Sequence, residues 1–309
     1  MNKTPELIEE RSNIYSNLKD YAEETKKGVV YFYNINLDSI ASSVEKYVAG
    51  TLEAYFKTSK RINSQEELQS NIDLINSLPN ITPNGQILPK KETIELLNEV
   101  QQNIIELLNK TGILNNIEMM MCPHIMIKTP TREFKERPYY TGQLHSDAWI
   151  GMPSDAIFMC GLLGDIDNTT VEYFEPINPS KNLLDTSPNY KSAQSRYTDL
   201  SYIGKMTKDR FIIMDNYCIH RTKYNCDSKA RVSLAFGVIM KKTNTQSKPS
   251  KIIERFKDSF FNPKDLIQIG KTHTFDIDET LYECEQRHSN PNLSNTKKYS
   301  QEPYIKKIS

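Results

Sequence analysis

Apolar residues change their spacing near Gly112, and the change divides the chain into a helix-patterned part and a strand-patterned part. Before it, Thr4 and Pro5 offer an N-cap followed by proline at the first helical position, ahead of Leu7, Ile8 and Leu18 on a charged stretch. The run VVYFYN at 29–34 predicts one short strand. The stretch LDSIASSVEKYVAGTLEAYF predicts a helix, and Ser64 with Glu67 makes a capping-box pattern ahead of Leu68, Ile72 and Ile75. A further helix is predicted from about Glu92, with Ile94, Leu97, Ile104 and Leu108 on one face and Gly112 as its stop.

After Gly112 the apolar segments are short and punctuated by Pro, Gly, Asp and Asn. They are IEMMMCPHIMIKT, TGQLHSDAWIG, DAIFMCGLLG, TVEYFEP, DRFIIMDNYCIH and ARVSLAFGVIM, and together they predict a β core. Residues 178–201 are rich in Ser, Asn, Asp and Lys and predict a long surface loop of the kind that forms lids. From Lys242 the chain turns polar, with KKTNTQSKPSK as a linker and IIERFKDSFF as an amphipathic helix packed back on the core. The expectation is a single domain, 1–309, made of a helical part (1–115), a β core (116–242) and a C-terminal extension (243–309).

Composition narrows the classes further. Lys plus Arg (39) equals Asp plus Glu (39), so no bulk field draws nucleic acid or an anionic membrane. The opening MNKTPELIEERSNIYSNLKDY lacks the apolar run of a signal peptide, and no uncharged apolar stretch reaches about 18 residues, so a cytoplasmic protein without a membrane span is expected. The five cysteines are scattered and lack a C-x-x-C pair, which argues against a disulfide framework or a thiolate zinc site.

Candidate chemistry lies in the β segments. In QLHSDAW, His145 and Asp147 are two residues apart, so on an extended backbone both side chains leave the same face. His220, in DNYCIHRT, adds a second imidazole. Two imidazoles and one carboxylate form the facial set of non-haem iron(II) oxygenases, and the same ligand types also hold catalytic zinc. In ARVSLAFGV, Arg231 and Ser233 share one strand face, opposite Val232, Leu234, Phe236 and Val238. A guanidinium fork beside a hydroxyl matches a carboxylate, a partner that a hydrolytic zinc site does not require. Gln143 and, if the strand continues, Trp149 share the face of His145; the first would reach a co-substrate and the second would wall a pocket, against the alternatives of a pairing amide and a core ring. Glu172, beyond the Asp165–Asp167 turn, is a candidate substrate contact whose alternative is a solvated strand position, while His124, His273 and His288 lack metal-ligand spacing.

In order and approximate spacing, His145-Ser146-Asp147, His220 and Arg231-Val232-Ser233 resemble the H-x-D, distal His and R-x-S elements of the iron(II)- and 2-oxoglutarate-dependent dioxygenase superfamily, and more loosely its phytanoyl-CoA-dioxygenase-like branch. The resemblance covers about residues 117–240. It implies an α+β protein with a mainly β core, an eight-stranded double-stranded β-helix (a cupin-like jelly roll) flanked by helices. It further implies Fe(II) on His145, Asp147 and His220, 2-oxoglutarate as co-substrate with its C5 carboxylate on Arg231 and Ser233, and O2 as oxidant. The reaction so implied hydroxylates a small molecule (an amino acid, a sugar derivative or a natural-product intermediate) while 2-oxoglutarate is decarboxylated to succinate, with desaturation and ring chemistry as open alternatives. The carboxylate at Asp147 separates the chain from the related halogenases, which carry a small residue there. Two alternatives stand beside this reading: a protein side-chain hydroxylase that docks its target on the helical N-terminal part, and a non-enzymatic metal-binding cupin-like protein. The helical flanks and the C-terminal extension also offer surfaces on which a homodimer could form.

Overall fold

Continuous apolar runs such as AIFMCGLLG and RVSLAFGVIM suit strands covered on both faces, and in the computed structural model they are the central strands of the larger of two sheets. The structure describes residues 30–82, 84–129, 139–152, 154–183, 185–224, 229–241, 259–274 and 306–308, together with 15, 18, 22 and 24–26. The strands that matter here are β1 (Glu24–Lys26), β2 (Val30–Asn34), β3 (Ile117–Met121), β4 (His124–Lys128), β5 (Ala156–Gly164), β6 (Thr169–Ile177), β7 (Asp199–Lys205), β8 (Arg210–Asp215), β9 (Ile219–Tyr224), β10 (Arg231–Met240) and β11 (Phe260–Phe261). The larger sheet runs β1-β2-β8-β5-β10-β3-β11, with β4 also paired to β10, and the smaller runs β7-β6-β9. Every pairing is antiparallel.

The sheets pack inner face to inner face. Ile157 of β5 and Ile212 and Met214 of β8 meet Val171 and Tyr173 of β6, Ile203 of β7 and Ile219 of β9 in one buried cluster. The outer face of the larger sheet, with Phe158, Phe211, Ile213 and Leu234, is covered by helices α1 (Asp38–Phe56) and α4 (Ile94–Lys110). On α4 the buried stripe is Leu97, Val100, Ile104 and Leu108, each of which contributes about 1.5–3 kcal/mol by leaving water. Between these helices lie α2 (Gln65–Ser70) and α3 (Ile72–Asn76). The Ser64–Glu67 capping box forms as patterned: Ser64 Oγ accepts the Glu67 N–H at 3.1 Å, and the Glu67 carboxylate accepts the Ser64 N–H at 3.3 Å. Among the described residues no helix is long and apolar enough to cross a membrane.

The structure departs from the sequence-based expectation in several segments. The run 117–129 is two strands parted at Cys122 and Pro123, and 209–220 is also two, because Asn216–Cys218 turn the chain from the larger sheet to the smaller. Residues 141–151 are not a strand; they hold one β-bridge at His145 and a 3-10 turn, Asp147–Ile150. The expected loop 178–201 contains a helical turn, α5 (Tyr190–Ala193), and the beginning of β7. Phe260 and Phe261, expected in a helix, pair with β3 as a strand, since two phenylalanines at the sheet edge bury more area paired than exposed. The N-terminal helix predicted after Thr4, the linker from Lys242 and the start of the C-terminal helix lie outside the described residues. The outcome is a mixed helix and antiparallel-sheet protein whose two sheets are not closed into a barrel.

One glycine joins this scaffold to the strand that carries Arg231. Gly164 ends β5 with φ +82°, and a Cβ there would run into the Ala230 carbonyl and stand 3.0 Å from the Arg231 Cα. Gly164→Ala therefore combines left-handed strain with a backbone clash, and urea unfolding should show a loss of at least about 2 kcal/mol.

Candidate metal centre

His145 and His220 are brought together by the backbone. The His145 N–H donates to the His220 carbonyl at 2.9 Å and the His220 N–H donates back at 2.8 Å, so the two form a directly opposed, hydrogen-bonded pair. Their side chains then stand on the same face, with ring centroids 4.2 Å apart. Asp147 arrives by a different route. Ser146 Oγ accepts the Ala148 N–H at 3.2 Å and donates to the Asn216 carbonyl at 2.9 Å, which starts the 3-10 turn and swings Asp147 toward the rings. Its Oδ2 lies 3.8 Å from His220 Nε2, and one ligand atom from each of the three residues falls within 4.8 Å of the others.

Both imidazoles are held in the tautomer a metal needs. His145 Nδ1 lies 2.8 Å from the Gln143 carbonyl and His220 Nδ1 lies 3.1 Å from the Cys218 carbonyl. A carbonyl only accepts, so each Nδ1 carries a hydrogen, and Nε2 is the nitrogen of each ring left to bind an ion. Outer hydrogen bonds of this kind orient histidine ligands in metal sites. Burial, then the neighbouring His220 ring, pushes the His145 pKa well below its ordinary value despite the Gln143 bond, so His145 is neutral at neutral pH. Burial also raises the Asp147 pKa, against a smaller opposite pull from His220. A divalent cation among the three reverses that penalty on the carboxylate.

The centre opens into a cavity of about 110 Å³ between the two sheets, whose lining includes Arg231 and Ser233. Arg231 is 1% exposed, Ser233 is 4% exposed, and both point inward from β10. The guanidinium has no carboxylate partner among the described residues: Nη1 reaches only Met206 Sδ at 3.7 Å, and Nε makes no hydrogen bond. Desolvation draws its pKa down to about 10, with Tyr224 and Tyr173 pulling the other way. Lys128 on the neighbouring β4 faces the same space, donating to the Asn84 carbonyl and, at 2.9 Å, to Thr141 Oγ1.

The remaining candidates have other places. Trp149 does not wall the cavity: the 3-10 turn breaks the two-residue alternation, and the ring is fully buried, its Nε1–H donating to the Leu183 carbonyl at 2.6 Å. Glu172 points away from the cavity, because Val171 and Tyr173 take the inward positions of β6. Its carboxylate accepts from Arg221 at 2.8 and 2.9 Å and from Lys223 at 2.8 Å. Burial alone would raise its pKa; the bonds from Lys223 and Arg221 outweigh that and hold it below the ordinary value. Gln143 meets the site through its backbone carbonyl, and its side chain is not part of the cavity lining.

Two residues the sequence did not single out do meet the site. Tyr190 of α5 stacks on the His145 ring at 4.3 Å and 21°, and its one sequence signal is an aromatic ring in a polar stretch. His124 at the start of β4 lines the cavity, and its buried Nε2 has no hydrogen-bond partner. Burial lowers the His124 pKa to about 4.

The chain matches no known protein-family profile and no curated protein sequence. Similar solved structures include the epimerase SnoN of nogalamycin biosynthesis, in complex with Fe3+, alpha ketoglutarate and nogalamycin RO (9% identity, 80% of this chain and 94% of that one, TM-score 0.34). Others are AviO1 from Streptomyces viridochromogenes (9%, 72% and 93%, TM-score 0.40) and an N-substituted L-amino acid dioxygenase from Burkholderia ambifaria (10%, 75% and 91%, TM-score 0.34). Likeness this remote carries no function to the chain.

His124 gives the site a pH signature. Its folded pKa of about 4 lies below its ordinary 6.5, so between those values the unfolded chain takes a proton that the folded one refuses. The stability His124 contributes is present above about pH 6.5 and is lost as the pH falls toward 4. Urea unfolding at pH 7.0, 5.5 and 4.5 should show a shallower acid loss in His124→Gln than in the wild type.

Proposed function

We propose that the chain is a non-haem iron(II)- and 2-oxoglutarate-dependent oxygenase built on a double-stranded β-helix, acting on a small molecule. The observation that carries this reading is the buried Arg231. A guanidinium taken out of water without a counter-charge costs several kcal/mol, and a diffusible anion relieves that cost. The donor set fits the metal: two imidazoles whose Nδ1–H groups face carbonyls, which leaves Nε2 of each for an ion, and one carboxylate suit a divalent ion bound on one side, with its remaining positions open.

In this reading His145, Asp147 and His220 hold Fe(II), and Arg231 with Ser233 holds the distal carboxylate of 2-oxoglutarate through charge-assisted hydrogen bonds. Iron(II) so held supplies oxygen activation coupled to decarboxylation of the keto acid. The chain's own contributions are positioning and exclusion. Gln143 and Cys218 carbonyls keep each Nδ1–H in place, so neither ring can turn its protonated nitrogen to the metal. Tyr190 shields one face of His145, and Tyr139 closes behind it, edge-on at 5.3 Å and anchored by its hydroxyl to the Ser187 carbonyl at 3.0 Å. This aromatic cover keeps water from the rings and strengthens every electrostatic contact beneath it.

Anaerobic addition of iron(II) and 2-oxoglutarate should produce the weak visible charge-transfer band of a bidentate keto-acid chelate, and His145→Ala should abolish it. Arg231→Met should keep metal binding yet weaken 2-oxoglutarate at least about 100-fold, as expected when a buried ion-pair partner is removed. A wild type that shows no band, or an Arg231→Met protein that titrates like the wild type, sinks the reading.

A further inference from the structure

The two ends of the cavity differ in chemistry, and strand register decides which residues stand at each. Along the inner face of β10 the order is Arg231, Ser233, Ala235 and Gly237. Opposite them on β4 lie Lys128, Met126 and His124, paired with Arg231, Ser233 and Ala235 in turn. On the other side, β5 sets Met159 against Ala235 and Ile157 against Gly237. One end is thus doubly cationic. The other, about 13 Å along β4 at 3.3 Å per residue, has a floor of small residues, the apolar Met159 and Ile157, and His124, with Gln86 bridged beside Met126 and the Ser154 hydroxyl near Gly237 as further uncharged polar groups.

His124 is poised for a ligand. Its Nε2 is sealed from solvent and bonded to none of the described residues, an arrangement that costs about 1–3 kcal/mol unless a partner enters. With its pKa near 4 the ring is uncharged at neutral pH, so it neither attracts an anion nor repels a cation. Met159 and Ile157 offer no partner to a charged group, which would lose its hydration on entering. At about 30 Å³ per water the cavity of about 110 Å³ holds roughly four waters, and the Arg231 end takes its share for the keto acid.

We propose that the His124 end receives the primary substrate, and that this substrate is a neutral, largely apolar molecule whose hydroxyl or amide bonds the imidazole of His124. The proposal rests on the oxygenase reading and narrows it, since the charges of an amino-acid zwitterion find no partner on His124, Met159 or Ile157. It assigns His124 a part in substrate recognition, with none in holding the metal or the keto acid.

The test uses the full chain in two stages. The iron(II)/2-oxoglutarate absorption band is first recorded for the wild type, His124→Leu and His124→Gln; its absence from the wild type overturns the oxygenase reading itself, and with it this one. Protein labelled with 15N-histidine and loaded with Zn(II) and 2-oxoglutarate is then titrated with butyramide, cyclohexanol, butyrate and butylammonium, the His124 resonance being the one missing in His124→Gln. Saturable shifts of that resonance with butyramide or cyclohexanol are expected, with affinity at least tenfold weaker in His124→Leu by competition calorimetry and an unchanged keto-acid band. Binding of butyrate or butylammonium as tight as that of the neutral probes, equal affinities in wild type and His124→Leu, or no response to any probe in a protein that shows the band would overturn the proposal.

Discussion

A guanidinium sealed from water, with no counter-charge among the described residues, is the constraint around which this protein is arranged. Arg231 sits on a central strand of the larger sheet, 1% exposed, with Nε unbonded and Nη1 reaching the Met206 thioether. Such a group is tolerable only where the scaffold around it is strong. Here β10 pairs along its length with β5 on one side and with β4 and β3 on the other. The alternate residues Val232, Leu234 and Val238 are fully buried against the helices on the outer face. Apolar burial on one face of the strand thereby offsets an unpaired cation on the other.

The metal ligands depend on the same two-sheet arrangement in a different way. His220 lies on the smaller sheet, and His145 reaches it through a single reciprocal bridge. The bridge aligns the rings, the carbonyls of Gln143 and Cys218 fix their tautomers, and the turn capped by Ser146 delivers Asp147. None of the three side chains needs the others to find its position, since backbone hydrogen bonds set the two histidines and the Ser146 side chain sets Asp147. A site assembled in this way is organised before any ion arrives, so binding has little side-chain ordering left to do.

Much of the site was legible because its parts are short-range. The two-residue spacing of His145 and Asp147, the isolated His220, and the alternation that sends Arg231 and Ser233 to one face are local facts, and all of these residues line one cavity. Trp149 and Glu172 were not legible, for reasons that are also physical. A 3-10 turn replaced the strand that would have aimed Trp149 inward, and a bond network with Arg221 and Lys223 holds Glu172 on the outer face of β6. Tyr190 and His124 could not be read from spacing at all, since each reaches the site through a partner distant in sequence, His145 for one and Ala235 for the other.

The sequence by itself determined the helices at 38–56 and 94–110, the extended runs of β5, β6 and β10, the buried stripe of α4, the capping box at Ser64, and the residue types able to hold an ion and grip a carboxylate. Those features follow from side-chain periodicity and local hydrogen bonding, which act over a few residues. Tertiary structure alone decided that β8 and β9 part into different sheets, that Phe260 and Phe261 complete a sheet edge, that an aromatic from a polar loop covers His145, and that one end of the cavity is cationic while the other is neutral. These outcomes depend on register and on packing between segments far apart in sequence, as in the pairing of Val30 with Met214 and the bond from Gln101 to the Leu266 carbonyl, and no local pattern encodes them.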